Sequence, residues 1–242
     1  MFLRRIIIAP VMILLLVTLS GCSSPDLLKG DGEMTSGTIL FDGYVTKIDI
    51  SGVPATLNII AEDRSEVAYM VDENLEEYLE ITHQDGELRI STRDNIPIKS
   101  GRITIDIGAE ALESIIADCA VKILGSGTFV TEDFILEMNG AGSAELELVA
   151  RSMSAEIKGA ADVTLSGMVD ELRINGEGAV DIDTRDLIAY DAAVTLNGVG
   201  SVKVYAERTL DASGEGVGSI TYWGDPELIG STEGLMSIKK GD

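Results

Sequence analysis

Between Asn139 and Trp223 one short pattern returns again and again: an apolar residue, a spacer, Gly, any residue, Gly or Ala, then apolar residues at alternate positions. Met138, Ile157, Ile174, Leu196 and Ala212 each stand two places before a glycine, namely Gly140, Gly159, Gly176, Gly198 and Gly214. An alternating apolar pair follows each: Leu146 and Leu148, Val163 and Leu165, Val180 and Ile182, Val202 and Val204, Ile220 and Tyr222. The copies recur about every 16–22 residues, and a glycine-poor earlier copy starts at Ile115 with Val121 and Ile123 as its pair.

Alternation at period two marks strands with one buried face, and glycine between strands marks corners where the backbone needs positive φ or close approach. A repeat of this length cannot bury a face alone, so it must stack on its neighbours. The predicted fold is all-β, a right-handed β-solenoid or β-helix-like stack of short strands in coils of about 16–22 residues. The predicted corners are Gly140, Gly142, Gly159, Gly176, Gly178, Gly198, Gly200, Gly216 and Gly218, with Ala161 standing where other corners carry a second glycine. Asn139, Asn175 and Asn197 precede corner glycines, a place where asparagine tolerates left-handed backbone. They either stack as a ladder or stand apart as isolated turn residues.

Residues 1–22 read as a targeting segment. Arg4 and Arg5 precede an apolar run from Ile6 to Leu19, and Leu19-Ser20-Gly21-Cys22 resembles the bacterial lipobox, which implies a lipid on Cys22. A retained transmembrane helix is disfavoured because the run falls short of the roughly 20 residues a span needs. Residues 23–37, polar and carrying Pro25, Gly30, Gly32 and Gly37, read as a flexible tether. The domain is predicted over 38–230, and 231–242 as a C-terminal cap or tail in which Leu235 to Ile238 folds back over the last coil.

From Thr38 to Ile107 strands alternate without the glycine corner, for example Ile48 and Ile50, Leu57 and Ile59, Leu88 and Ile90, and Ile103, Ile105 and Ile107. Gln84-Asp85-Gly86-Glu87 predicts a hairpin, because Asp-Gly suits the two-residue turns that match strand twist. Asp72 to Tyr78 is either a helical turn or a plain turn.

These features together resemble a known family. Ile48-Asp49-Ile50-Ser51-Gly52, Leu57-Asn58-Ile59-Ile60, the hairpin from Gln84 to Ile90, the glycine-cornered coils and Tyr222-Trp223-Gly224-Asp225-Pro226 are similar to the bacterial family called putative auto-transporter adhesin, head GIN domain. The resemblance spans Tyr44 to Pro226. Its motifs are structural, so it implies the fold and leaves the chemistry open.

Composition then narrows the function classes. The formal net charge is −23 from 41 acidic against 18 basic residues, which excludes nucleic acid as a partner because phosphate contact needs clustered basic groups. The same charge keeps a tethered protein off an anionic lipid surface. Only 5% of residues are aromatic, which suits a narrow core of stacked aliphatic side chains. With Cys22 lipidated, Cys119 stands alone and reads as an inert buried thiol. His83, the single histidine, lies beside the hairpin turn and has no evident catalytic partner. The Gly-x-Gly corners lack the third glycine of a dinucleotide loop, their equivalent places holding Glu145, Asp181 and Lys203. Asp181, Asp183 and Asp186 could hold one calcium loosely, but the nonapeptide period of calcium-binding repeats is missing. No cofactor is predicted.

The expected function is that of a non-enzymatic, lipid-anchored lipoprotein facing outside the cytoplasm, an acidic scaffold for adhesion or binding. Its candidate face comprises Glu145, Glu147, Thr164, Asp181, Asp183, Lys203 and Thr221. The expected partners are the membrane through Cys22 and an envelope protein or glycan. Two alternatives are a self-assembling structural or regulatory envelope component, hence a homo-oligomer, and a carbohydrate-active β-helix enzyme.

Overall fold

The computed structural model describes residues 27–242; the expected targeting segment and Cys22 lie outside the described residues. The chain is all-β, with 79% of the described residues in strands and 3% in helix. Twelve strands follow one another: β1 (Leu28–Lys29), β2 (Met34–Leu40), β3 (Lys47–Ser51), β4 (Ala55–Ile60), β5 (Glu66–Asp72), β6 (Leu79–Gln84), β7 (Glu87–Thr92), β8 (Ile98–Ser100), β9 (Ile103–Gly108), β10 (Ser114–Asp118), β11 (Val121–Trp223) and β12 (Glu227–Lys240). Among the described residues the one α-helix, α1 (Glu73–Glu76), is a single turn that buries Leu75, which decides the open reading of Asp72 to Tyr78.

β11 is 103 residues of unbroken extended chain. At about 3.3 Å per residue it would run roughly 340 Å if straight. Instead it bends and returns over itself. Gly140 lies on the backbone of Cys119, and Gly159, Gly178, Gly198, Gly216 and Gly234 each lie on the glycine one step before, close enough that a methyl group on any of them would meet that carbonyl oxygen at under 3.0 Å. All six have positive φ, from 79° to 150°. Here glycine is needed twice over, for the left-handed backbone and for the approach of the neighbouring chain.

This row corrects one predicted corner. Gly176 has no positive φ, and a side chain there would point at Val180 Cγ2 (2.9 Å) and Leu196 Cδ1 (3.3 Å), both core atoms. Gly176 therefore faces inward, as does Gly214, which points at Met236; the corners of those coils are Gly178 and Gly216. The row of Gly142, Gly200 and Gly218 is interrupted by buried Ala161 and Val180.

The strands are mixed, so a uniform parallel stack beginning at residue 38 is corrected at the N-terminal end. β3 and β4 form a coil flanked on both sides: β3 pairs in parallel with β7 and β10, and β4 with β9 and β11. After β4 the chain detours through β5–β9 to build the layer beneath, then crosses to the layer above at β10. Antiparallel strands finish that end, β6 on β7 and β2 on β5 on β9. A two-residue turn is enough to join antiparallel strands, and Asp85 (φ 51°) and Gly86 (φ 82°) supply it in the left-handed conformation.

Two boundaries also shift. The predicted tether contains β1, paired with β8, and most of the first half of β2. Buried Asp72 holds this segment down: its carboxylate accepts N–H bonds from Gly32 (3.1 Å) and Arg102 (2.6 Å). The predicted cap is no lid. β12 pairs in parallel with Thr209 to Tyr222 over its whole length, so it is one more coil, and Leu235 is 78% exposed.

The interior is a column of stacked aliphatic residues, among them Ala144, Val163, Ile182, Val202 and Ile220. Thr184 is the fully buried polar exception, and its hydroxyl donates to Lys203 O at 2.9 Å.

Candidate functional site

Alternation within each coil sends every second side chain outward, and the glycine row fixes which outward residues are neighbours. Glu145, Thr164, Asp183, Lys203 and Thr221 fall in one row, and Lys239 of β12 extends it beside Thr221. Asp181 belongs to the next row with Asp162 and Ser201, and Glu147 to the row on the other side with Arg185 and Trp223. The structure thus brings all seven expected face residues onto one side, in three adjacent rows.

Asp183 is the centre of this face. Arg185 donates to it through Nε (2.9 Å) and Nη2 (2.8 Å), and Lys203 Nζ donates from the next coil at 3.1 Å. Desolvation alone would raise its pKa, but the hydrogen bonds from Arg185 and Lys203 prevail and hold it down at about 2. The Arg185 guanidinium also sits 5.5 Å from the centroid of the Trp223 ring, within cation–π range. Ser201 Oγ donates to Asp181 at 2.6 Å, and Thr128 Oγ1 to Glu147 at 2.7 Å. Asp162, Thr164, Asp181, Asp183, Ser201 and Lys203 line a shallow groove of about 120 Å³. Such a face can bind by hydrogen bonds and charge. A carboxylate held this far below neutrality by two cations is an acceptor and not a proton donor.

The calcium expectation meets a different geometry. Asp181 engages Ser201 and Asp183 engages two cations, and among the described residues no group of three or more His, Cys, Asp or Glu is arranged to hold a metal. The asparagine ladder is likewise absent. Asn139 Nδ2 donates to Asp118 at 2.7 Å, Asn197 lies beside Glu177, and Asn175 stands three places before its corner, Gly178, in another row.

Cys119 is half-buried with Sγ 3.9 Å from Ile50 O, and burial pushes its pKa up to about 11. His83 stacks on Phe41 with ring centroids 4.2 Å apart, and its Nε2 lies 3.0 Å from Tyr44 O.

Two features escaped the sequence reading. A groove of about 550 Å³ is lined by Lys47, Glu113, Glu132, Asp133 and Glu137. Asp133 in it has a lowered pKa because Ser152 hydrogen-bonds to it and Arg151 lies beside it, against desolvation. These residues come from separate coils, so no motif announces them. The second is an exposed apolar row at the corner: Ala141, Ala160, Ala179, Val199, Val217 and Leu235. Its signal was available in the apolar residue that directly follows each corner glycine, from Gly140 to Gly234.

Comparison with known proteins fits this architecture. The profile of the family described as "Putative auto-transporter adhesin, head GIN domain" matches residues 45–226. The chain belongs to this family. No curated protein matches the chain. Among solved structures, a putative adhesin from Bacteroides fragilis superposes with TM-score 0.74 at 20% identity, covering 88% of this chain and 99% of its own. A putative adhesin from Parabacteroides distasonis gives TM-score 0.66 at 21% identity, covering 89% and 100%. A protein from the same species described as a putative lipid binding protein gives TM-score 0.66 at 20% identity, covering 89% and 99%. At these identities the likeness is one of fold. This head GIN member shares the coil stack of those structures. No helix among the described residues is long and apolar enough to cross a membrane.

Proposed function

We propose that this protein is a non-enzymatic adhesion or binding scaffold, held by a lipid on Cys22 at the outer side of a bacterial membrane, with its coils wound as a right-handed solenoid. The observation that carries the reading is the outward face centred on Asp183 and Lys203, where polar side chains from successive coils are already tied to one another. Neighbouring strands lie about 4.8 Å apart, so a linear ligand laid along the stack meets a new side chain at each coil. A rigid, pre-tied face loses little side-chain entropy on binding. Family membership supports adhesion as the class of function. The right hand follows the strong preference of parallel crossover connections. An envelope protein or glycan is the partner that such a face would meet outside the cytoplasm.

Two measurements test this. Metabolic labelling with an alkyne fatty acid should mark the wild type and not Cys22→Ser; equal labelling would remove the anchor. Immobilised protein should retain a component of solubilised envelope or of a cell-wall glycan array, and Asp183→Ala/Lys203→Ala should lose that component while keeping the wild-type β circular dichroism spectrum. Retention by the double variant, or no retention by the wild type, would overturn the face.

A further inference from the structure

The outer edge of β12 has no strand paired to it among the described residues, although the edge is 14 residues long. Each residue on that edge that points its backbone away from β11 presents unpaired donors or acceptors, a ready template for another strand. The layer is also apolar where it faces outward along the stack. Leu228 is 41% exposed although its counterpart one coil earlier, Leu210, is fully buried, and Ile229 and Leu235 are 64% and 78% exposed. The edge has no proline and no bulge in its register, and its only protective features are the charges near its two ends and at Glu233.

Its charges point to the occupant. The whole chain carries −23, yet β12 balances Glu227 and Glu233 against Lys239 and Lys240. Acid stands at its start and base at its end. Lys240 pairs with Asp225 at 3.0 Å, whereas Glu227 and Lys239 have no ion-pair partner among the described residues. A strand of this polarity is complementary to its own reversed copy. Like charge on the rest of the two bodies is screened beyond about 8 Å at physiological salt, so the neutral end coil is where two such acidic chains can approach.

We infer that the protein dimerises end to end, the β12 edges of two copies pairing antiparallel across a two-fold axis. The pleat narrows the register. Core-facing residues Leu228, Met236 and Ile238 must oppose core-facing residues of the mate, which admits only alternate registers. Of the two that centre on the Gly234 corner, one sets Glu227 against the mate's Lys239 and Leu228 against its Ile238, so the two aliphatic columns become continuous. That register places Glu233 opposite its own counterpart on the axis, a like-charge contact. The other opposes Leu228 to Lys240 and gains no ion pair. An isologous contact closes on itself, so the product is a dimer and not a fibre. β1 and β2 lie at the far end of the stack from β12, so the two N-terminal segments of the dimer face opposite ways. This inference does not depend on what the outer face binds.

Sedimentation equilibrium of the full chain in detergent, followed across rising protein concentration, tests the pairing. The protein mass per particle should double. Ile229→Lys, at a position 64% exposed in the single chain, should return it to monomer. Glu227→Lys and Lys239→Glu should each weaken association about tenfold, the double swap should restore it, and Glu233→Gln should tighten it. A wild type that stays monomeric throughout, association indifferent to Ile229→Lys, a double swap no better than the single changes, or growth beyond the dimer would each overturn the inference.

Discussion

The row of stacked glycines makes a quantitative demand that a single methyl group can test. At Gly159, φ is +119° and the carbonyl of Gly140 lies directly beneath. Alanine there must hold a backbone conformation that costs about 1–2 kcal/mol and also push the neighbouring coil away, an overpacking cost of about 1–3 kcal/mol. Taken together about 3 kcal/mol is expected, and at 2–4 °C per kcal/mol for a domain of this size the melting temperature should fall by about 6–12 °C. Gly176→Ala is the internal control, because its φ is not positive and the nearest atoms to its methyl are side-chain atoms of Val180, Leu196 and Ile182. A loss of about 1 kcal/mol is expected there, at the low end of core overpacking. Thermal unfolding followed by circular dichroism measures both. Equal losses, or a larger one at Gly176, would refute the assignment of the corner to the Gly159 row.

Two further predictions concern titrating groups. Asp183 has its folded pKa depressed to about 2 from 3.8, so its contribution to stability is complete above pH 4 and disappears as pH falls through about 2. Asp183→Asn should therefore flatten the dependence of melting temperature on pH over that window, and a carboxyl NMR titration of the wild type should give a midpoint near 2 and not near 3.8. Cys119, with its pKa raised to about 11, should react with iodoacetamide far more slowly at pH 8 than after denaturation; equal rates would contradict the burial.

Much of this fold was legible because side-chain burial follows alternation. Val163, Leu165, Val202 and Val204 are buried as their spacing requires, and Asp85-Gly86 makes the expected turn. The register of the coils was less legible. Ile174-Asn175-Gly176-Glu177-Gly178 offers two glycines two places apart, and only contact with Gly159 tells the corner from the residue that faces the core. Backbone pairing is nearly silent in sequence. The segment that holds β1 and β2 is largely polar and glycine-bearing, and it is fixed by pairing with β8 and β5 and by Asp72, 40 residues on from Gly32, which accepts the Gly32 N–H in the link between the two strands. The detour that sets β3 and β4 between two other layers leaves no trace in alternation, since a strand reads the same whichever neighbour it has. For the face, the outward residues could be named, but the clasp of Asp183 by Lys203 needed the coil length, and the groove at Glu113 and Asp133 needed the stack itself.

The most direct test of the winding is a disulfide across two coils in a cysteine-free background. Asp181 and Ser201 are hydrogen-bonded neighbours, and adjacent strands about 4.8 Å apart meet the Cα separation that a disulfide needs. Asp181→Cys/Ser201→Cys should oxidise readily and raise the melting temperature. Asp181→Cys/Lys203→Cys, which a Gly176-to-Gly198 alignment would favour, places the pair roughly 8 Å apart on the diagonal and should remain reduced. The reverse outcome would contradict the stacking on which the face, the end coil and the glycine row all depend.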